Sequence, residues 1–416
     1  MEWILLIAIV IGFYMAWNIG ANDVANSMAN AVGSKAITII AAVILAGICE
    51  FAGAVLVGGH VTNTIRKGII DTQAFVHNPQ VLAYGLICAL LAAAVWLNVA
   101  SHFGMPVSTT HSIVGAITGF GLVYAGMANV QWVTLGKIVA SWFISPVIGG
   151  FIAFLVFKFI SNNILSKEKP ILAAVMGVPI CIFLTFTTII LATIFKGLKN
   201  LNLDLSGLEA IGISVFGGLV AAVVSYFIMQ RIKNRDGEAS LAEQLAKVEK
   251  VFVLPVIITS CAVAFAHGAN DVANAVGPLA AVFEIVKTNQ IPSKVSVDMW
   301  VLVLGGTGIV AGLATFGYKV MQKVGLEITD ITPTRGVAAD IGAMITVLAC
   351  SKMGLPISTT HTLVGAIIGV AMARGIATIN IDIVKSIFTS WFATVPIAAG
   401  LSALFYTVFR LVSQAF

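Results

Sequence analysis

Asp23 and Asp271 stand in nearly the same seven residues, Gly20-Ala21-Asn22-Asp23-Val24-Ala25-Asn26 and Gly268-Ala269-Asn270-Asp271-Val272-Ala273-Asn274, each at the end of a strongly apolar run. Carboxylate and carboxamide oxygens are hard ligands that suit alkali cations, and an Asn also offers N–H donors to an anion. An Asp at the centre of a membrane helix costs roughly 2.5–3.5 kcal/mol, so a duplicated set implies a duplicated task, ion or substrate handling by default. Gly20 and Gly268 let the backbone unwind beside the carboxylates, where freed carbonyls add cation ligands. Asp23, Asn26, Asp271 and Asn274 are the expected sodium ligands, and Asn22 and Asn270 are expected to face the anion. A helix cap at the membrane surface would need the same Asn-Asp pair, but the residues on both sides are apolar.

A second pair of motifs follows. Gly104-Met105-Pro106-Val107-Ser108-Thr109-Thr110-His111 returns as Gly354-Leu355-Pro356-Ile357-Ser358-Thr359-Thr360-His361. Proline lacks an amide donor and disfavours helix in the residue before it, so a helix breaks at each Pro and another starts beyond. Ser108, Thr109 and Thr110, like Ser358, Thr359 and Thr360, then fall at a helix N-terminus, where hydroxyls, free N–H groups and the macrodipole favour an anion. Two such breaks entering from opposite faces would bring two N-termini to one tetrahedral oxyanion. One copy alone reads equally well as an ordinary kink; duplication at matched positions favours the anion site.

Three further kinds of residue are candidates. His111 and His361 are placed behind the liganding groups or in a gate. Glu50 is a lone acid in the apolar run 36–59; its counterpart by the match of Gly53 to Gly312 is Ile309, and it either binds a cation, titrates or is a satisfied structural Glu. Arg66 and Arg335 precede the two Ser-Thr-Thr motifs and could face the anion or gate it, although such arginines more often anchor at the interface. The halves also differ: the first continues through Asn30, Gly33, Ser34 and Lys35, the second through Val276-Gly277-Pro278.

Membrane helices must position these groups. Of 416 residues 59% are hydrophobic and 10% charged, with a mean hydropathy of +1.02, so the chain cannot present a normally polar surface to water. Ten apolar runs reach spanning length, at 3–19, 36–59, 81–101, 134–160, 171–195, 208–229, 251–266, 299–318, 335–351 and 383–409; shorter runs lie at 113–128 and 363–378. The expectation is an all-α membrane protein of about 12 transmembrane segments. The first run lacks a basic flank and a small-residue cleavage site and is expected to be a retained helix. Five scattered cysteines argue against a disulfide framework or thiolate metal site, and a net charge of +5 without a basic aromatic stripe gives no support to nucleic-acid binding.

The motif copies lie at nearly constant intervals, and Ser141-Trp142-Phe143 recurs as Ser390-Trp391-Phe392. The sequence therefore divides into a first repeat (1–160), two linker helices with a polar loop at 230–250 (together 161–250) and a second repeat (251–416). Lys158, Lys167, Lys169, Arg231, Lys233, Arg235, Lys247 and Lys250 share one side, which the positive-inside rule makes cytoplasmic. Five crossings in the first half then put both chain termini outside and invert the second half relative to the first. In secondary transporters with inverted repeats, broken or re-entrant helices hold substrate and ions at the repeat interface.

Paired Gly-Ala-Asn-Asp-Val-Ala-Asn and Pro-x-Ser-Thr-Thr-His motifs, in that order in each half, resemble the inorganic phosphate transporter (PiT) family of sodium- or proton-coupled symporters. The resemblance covers most of the chain outside the linker. It implies a multi-pass plasma-membrane carrier that moves inorganic phosphate inward with cations, as a homodimer and without a cofactor. By matched positions it places Asp23, Asn26, Asp271 and Asn274 in ion or substrate binding, and Ser108, Thr109, Thr110, Ser358, Thr359 and Thr360 around phosphate. The large hydrophilic central domain of many animal members has only 230–250 in its place. Competing readings are proton-coupled carriage of phosphate or its metal complex, carriage of sulfate, and an intramembrane hydrolase built on the Asp23/Asp271 or Ser108/His111 pairs.

Overall fold

A computed structural model describes residues 2–58, 69–197, 205–233, 240–291, 297–326, 328–352, 357–375 and 379–414. They form fifteen α-helices and no named strand. The first half holds α1 (Glu2–Asn22), the short α2 (Val24–Ser27) and α3 (Ala29–Gly33), α4 (Ile39–Val57), α5 (Pro79–His102), α6 (Thr109–Tyr124) and α7 (Trp132–Ile160). Then come α8 (Pro170–Gly197) and α9 (Gly207–Lys233), followed by α10 (Leu241–Asp271), α11 (Ala273–Thr288), α12 (Met299–Leu326), α13 (Pro333–Lys352), α14 (Thr359–Arg374) and α15 (Ile381–Gln414).

Among the described residues nine stretches are long and apolar enough to cross a membrane, against the twelve expected. The three that fall short are instructive. Helices α6 and α14 have 16 residues each, about 24 Å at 1.5 Å per residue, and both start at a buried cap. Helix α13 is long enough at 20 residues, but Arg335 and Asp340 lower its hydropathy.

The two halves pack into each other. Helix α1 crosses α12, and the matching α10 crosses α4; α7 lies along α14, and the matching α15 lies along α6. Glycines set the first two crossings. A Cβ on Gly20 would overlap the Ile309 carbonyl, and one on Gly312 the Trp17 carbonyl; in the other half Gly268 meets the Glu50 carbonyl and Gly53 the Phe265 carbonyl. Small residues permit this backbone-to-backbone approach between apolar helices, where packing rather than hydrophobic exclusion drives association. Helices α8 and α9 form a hairpin on α10, and α9 turns Phe216, Val220, Val223 and Phe227 outward.

Helix α10 begins with a capping box: the Ser240 hydroxyl accepts from Glu243 N–H, and the Glu243 carboxylate accepts from Ser240 N–H at 2.9 Å. Ser240→Ala should cost about 0.5–2 kcal/mol of local stability. Faster hydrogen exchange of the first-turn amides of α10, with the rest of the helix unchanged, is the expected reading.

Candidate ion and anion site

Helix α1 ends at Asn22 and α10 at Asp271, and in each half the chain resumes as helix after one residue. Asp23 stands at the N-cap position of α2 but makes no capping bond with its side chain. That leaves its carboxylate for other partners. Ser108 and Ser358 cap α6 and α14, each hydroxyl accepting from the N–H of the histidine three residues on, at 3.2 and 3.1 Å. Thr109, Thr110 and Thr360 thereby sit in the first turns of two helices whose N-termini point at the same buried region.

The two motif pairs meet there. The Thr109 hydroxyl donates to Asp23 Oδ2 at 2.6 Å, and the Thr109 N–H approaches the same oxygen at 3.3 Å. From the other half, the Thr360 hydroxyl donates to Asp23 Oδ1. Thr359 donates to Asp271 Oδ2 at 2.7 Å, and Asn270 to Asp271 Oδ1 at 2.8 Å. The amides cross between halves: Asn26 Nδ2 donates to Thr360 Oγ1 at 3.0 Å, Asn274 Nδ2 to Thr109 Oγ1 at 3.1 Å and to Thr110 Oγ1 at 3.3 Å. The buried Asn26 Oδ1 has no hydrogen-bond partner. An orphaned acceptor beside a carboxylate fits a cation, which takes oxygen ligands and offers no lone pair.

His267 joins the two carboxylates. Its Nε2 lies 2.7 Å from Asp271 Oδ2 and 4.0 Å from Asp23 Oδ2, and its Nδ1 lies 3.0 Å from Glu50. Asp23, His267 and Asp271 each offer a ligand atom within 4.8 Å of the others. The matching positions in the other half are Ile19 and Ile309, so an ionisable pair stands where its counterpart is apolar. Sequence reasoning found Glu50 but missed His267, although it lies four residues before Asp271 on the same helix face.

A second buried acid was also missed. Asp340 on α13 accepts from Asn30 Nδ2 at 2.5 Å and from Thr259 and Ser260 hydroxyls at 2.7 and 2.8 Å. Its signal was the lone carboxylate in the apolar run 335–351.

Other candidates are placed differently. Asn22 holds a loop: its Nδ2 donates to Ser101 Oγ at 3.0 Å and to the Met105 carbonyl at 2.9 Å, and its Oδ1 accepts from Val107 N–H at 3.1 Å. Its role in the structure is to position Ser108, because all its bonds go to the segment leading into α6. Asn22→Ala should strand these groups at about 1–3 kcal/mol and lower the melting temperature, measured by thermal unfolding in detergent. His111 and His361 make no hydrogen bond with the carboxylate network; they stack on Trp142 and Trp391. Arg335 donates to the Asp330 carbonyl at 2.8 Å, at the rim rather than in the network. Arg66 lies outside the described residues.

A cavity of about 20 Å³ borders Asp23, Asn26, His267, Thr359 and Thr360, room for about one water-sized particle. No lysine or arginine among the described residues touches this network.

Comparison with known proteins agrees with the geometry. Residues 19–402 match the phosphate transporter family. The chain is 47% identical to a putative phosphate permease of Thermococcus kodakarensis over 98% of both chains. It is 42% identical to the chloroplastic inorganic phosphate transporter 2-1 of Arabidopsis thaliana, over 96% of this chain and 71% of that protein. A solved structure described as the sodium-dependent phosphate transporter superposes with a TM-score of 0.90 at 43% identity, covering 99% of this chain and all of that one. On this ground the chain is a multi-pass membrane protein belonging to the phosphate transporter family, a family of permeases and not of enzymes.

Proposed function

We propose that the protein is a secondary symporter that imports inorganic phosphate with sodium by alternating access, as a homodimer in the plasma or inner membrane, its termini outside and the 230–250 loop inside. The observation that carries this reading is that Thr109, Thr359 and Thr360 donate into Asp23 and Asp271. These are the donors an oxyanion needs, and the carboxylates compete for them.

Coupling follows from that competition. Phosphate brought alone beside two buried carboxylates would meet like charge in a medium that screens poorly, with His267 but no lysine or arginine among the described residues to offset it. Sodium on the Asp23, Asn26, Asp271 and Asn274 oxygens offsets the charge and lets the threonine hydroxyls and the amides of the two helix N-termini turn to phosphate. Cation binding then precedes or accompanies anion binding, and each stabilises the other. The cation gradient supplies about 1.4 kcal/mol per tenfold ratio, plus about 2.3 kcal/mol per net charge per 100 mV. Phosphate, unlike sulfate, keeps a proton near neutral pH, and a carboxylate or carbonyl acceptor for it would leave a polar clash with sulfate.

A second reading has its own observation. His267 lies between Glu50 and Asp271, its Nδ1 hydrogen-bonded to Glu50 and its Nε2 2.7 Å from the Asp271 carboxylate, titratable groups through which protons could replace sodium. Labelled-phosphate uptake into proteoliposomes, with a sodium gradient set against potassium plus an inward proton gradient, separates the two. Accumulation on sodium alone, undiminished by excess sulfate, is the expected result. Uptake driven only by protons would overturn the sodium assignment, and equal competition by sulfate would overturn the selectivity argument.

A further inference from the structure

Arg335 plays no part in the core network, yet it does not stand alone. Its Nη1 donates to the Asp330 carbonyl at 2.8 Å, and Arg374 Nη1 donates to the same oxygen at 3.3 Å. Two guanidinium groups that share one carbonyl oxygen stand side by side, and like charges so placed repel. A neutral oxygen offsets little of that repulsion. The Asp330 carboxylate lies 3.9 Å from Arg335 but is 92% exposed, and such an exposed pair contributes little. Glu249, the other acid facing Arg335, is engaged elsewhere: its two carboxylate oxygens accept from the Thr334 N–H at 3.0 Å and the Thr334 hydroxyl at 2.8 Å.

The surroundings hold the pair in place. Asn380 N–H donates to the Ile328 carbonyl at 3.0 Å, Ile328 and Ile331 are buried on either side of Asp330, and the Glu249 carboxylate caps the first turn of α13. The Arg335 side chain is 20% exposed, so its guanidinium lies against protein. Each guanidinium offers five N–H donors in a rigid fork, and the carbonyl takes one from each. Two forks aimed at one point suit a tetrahedral oxyanion, which presents separate oxygens to both and brings the charge that a carbonyl lacks.

Position separates this pair from the core site. Glu249 belongs to α10 and ties the pair to the end of the bundle that carries the polar 230–250 loop. Thr359 and Arg374 are the two ends of the 16-residue α14, so the arginines stand more than about 20 Å from the core threonines. Helix α6, the counterpart of α14, ends in Tyr124 where α14 ends in Arg374, so the charge at this end is no by-product of the repeat. With the 230–250 loop inside, this is the end at which imported phosphate leaves, and a fixed cation pair there raises the local concentration of anions.

We propose that Arg335 and Arg374 form a second site for a phosphate oxyanion, which takes phosphate as it leaves the core threonines. The release role rests on the import reading given above, whereas the anion site itself does not.

The test labels the purified protein, in phosphatidylcholine nanodiscs, with the arginine-selective reagent phenylglyoxal and reads each arginine by peptide mass spectrometry. Labelling runs in potassium phosphate or in potassium chloride of equal ionic strength. Phosphate should slow the labelling of Arg335 and Arg374 at least about fivefold and leave Arg410, exposed near the end of α15, unchanged. Arg374→Gln should bring Arg335 in phosphate to within about twofold of its rate in chloride. Equal labelling in both salts, equal protection of Arg410, or full protection of Arg335 in Arg374→Gln would each overturn the proposal. So would protection that appears only when sodium replaces potassium, which traces to the core site, and protection by phosphatidylglycerol nanodiscs in chloride, which assigns the pair to a lipid head group. Protection in potassium by a protein that fails to take up phosphate would keep the anion site and remove the import reading.

Discussion

Asp23→Asn should abolish sodium-driven phosphate accumulation, lowering the initial rate of uptake by at least about 100-fold. The carboxylate accepts from Thr109 of its own half and Thr360 of the other, and hydrogen bonds to a charged group are worth about 1.5–3 kcal/mol each. Asn keeps the shape but turns one acceptor into an NH₂, which then faces a threonine donor. It also removes the charge that a sodium ion would neutralise. Asp271→Asn should act in the same direction through Thr359 and His267. Thr360→Ser, which keeps the hydroxyl, should retain most activity and Thr360→Ala should not. Uptake by Asp23→Asn within about threefold of the wild type would remove the carboxylate from the proposed mechanism.

The other large effect concerns the fold. Gly268→Val and Gly20→Val should each cost more than about 3 kcal/mol and leave little protein that runs as a single species in detergent. At both positions a Cβ would overlap backbone of the crossing helix, the Glu50 carbonyl in one case and the Ile309 carbonyl in the other, and backbone cannot rotate away as a side chain can. Gly136 and Gly212 are the controls, because a Cβ on either meets nothing within 4 Å. Ala at those two positions should be neutral or stabilise by up to about 1 kcal/mol. Thermal unfolding followed by size-exclusion chromatography reads both outcomes. A folded Gly268→Val variant with an unchanged melting temperature would show that the crossing has slack.

The parts of this architecture written twice were legible in the sequence. Asp23 with Asp271, and Ser108 with Ser358, gave two independent statements of one local geometry, and the break at Pro106 and the two serine caps follow from backbone chemistry alone, while Pro356 lies outside the described residues. What occurs once was harder to read. Glu50 stood out as a lone acid, but its partner His267 comes from a helix 217 residues away, and nothing in local periodicity links them. Asp340 was equally isolated until Asn30, Thr259 and Ser260 closed around it. Asn22 shows the opposite difficulty. Its type suits an ion site, yet the Ser101 hydroxyl at the end of α5 and a carbonyl and an N–H of the loop beyond it take both its donors and one acceptor site. The histidines of the Ser-Thr-Thr-His motifs were read from adjacency, whereas a helix turns each residue about 100° from the last and carries their rings toward the tryptophans.

The glycine crossings also bear on motion. Two helices that touch backbone to backbone have no intervening layer of side chains to re-pack, so they can neither roll nor slide past one another without collision. The α1–α12 and α4–α10 pairs are therefore struts. Displacement during a transport cycle falls on the joints between struts: the single non-helical residues after Asn22 and Asp271 and the serine-capped starts of α6 and α14. Those joints carry the carboxylates and the threonines, so the groups proposed to hold the ions also stand where the molecule can hinge.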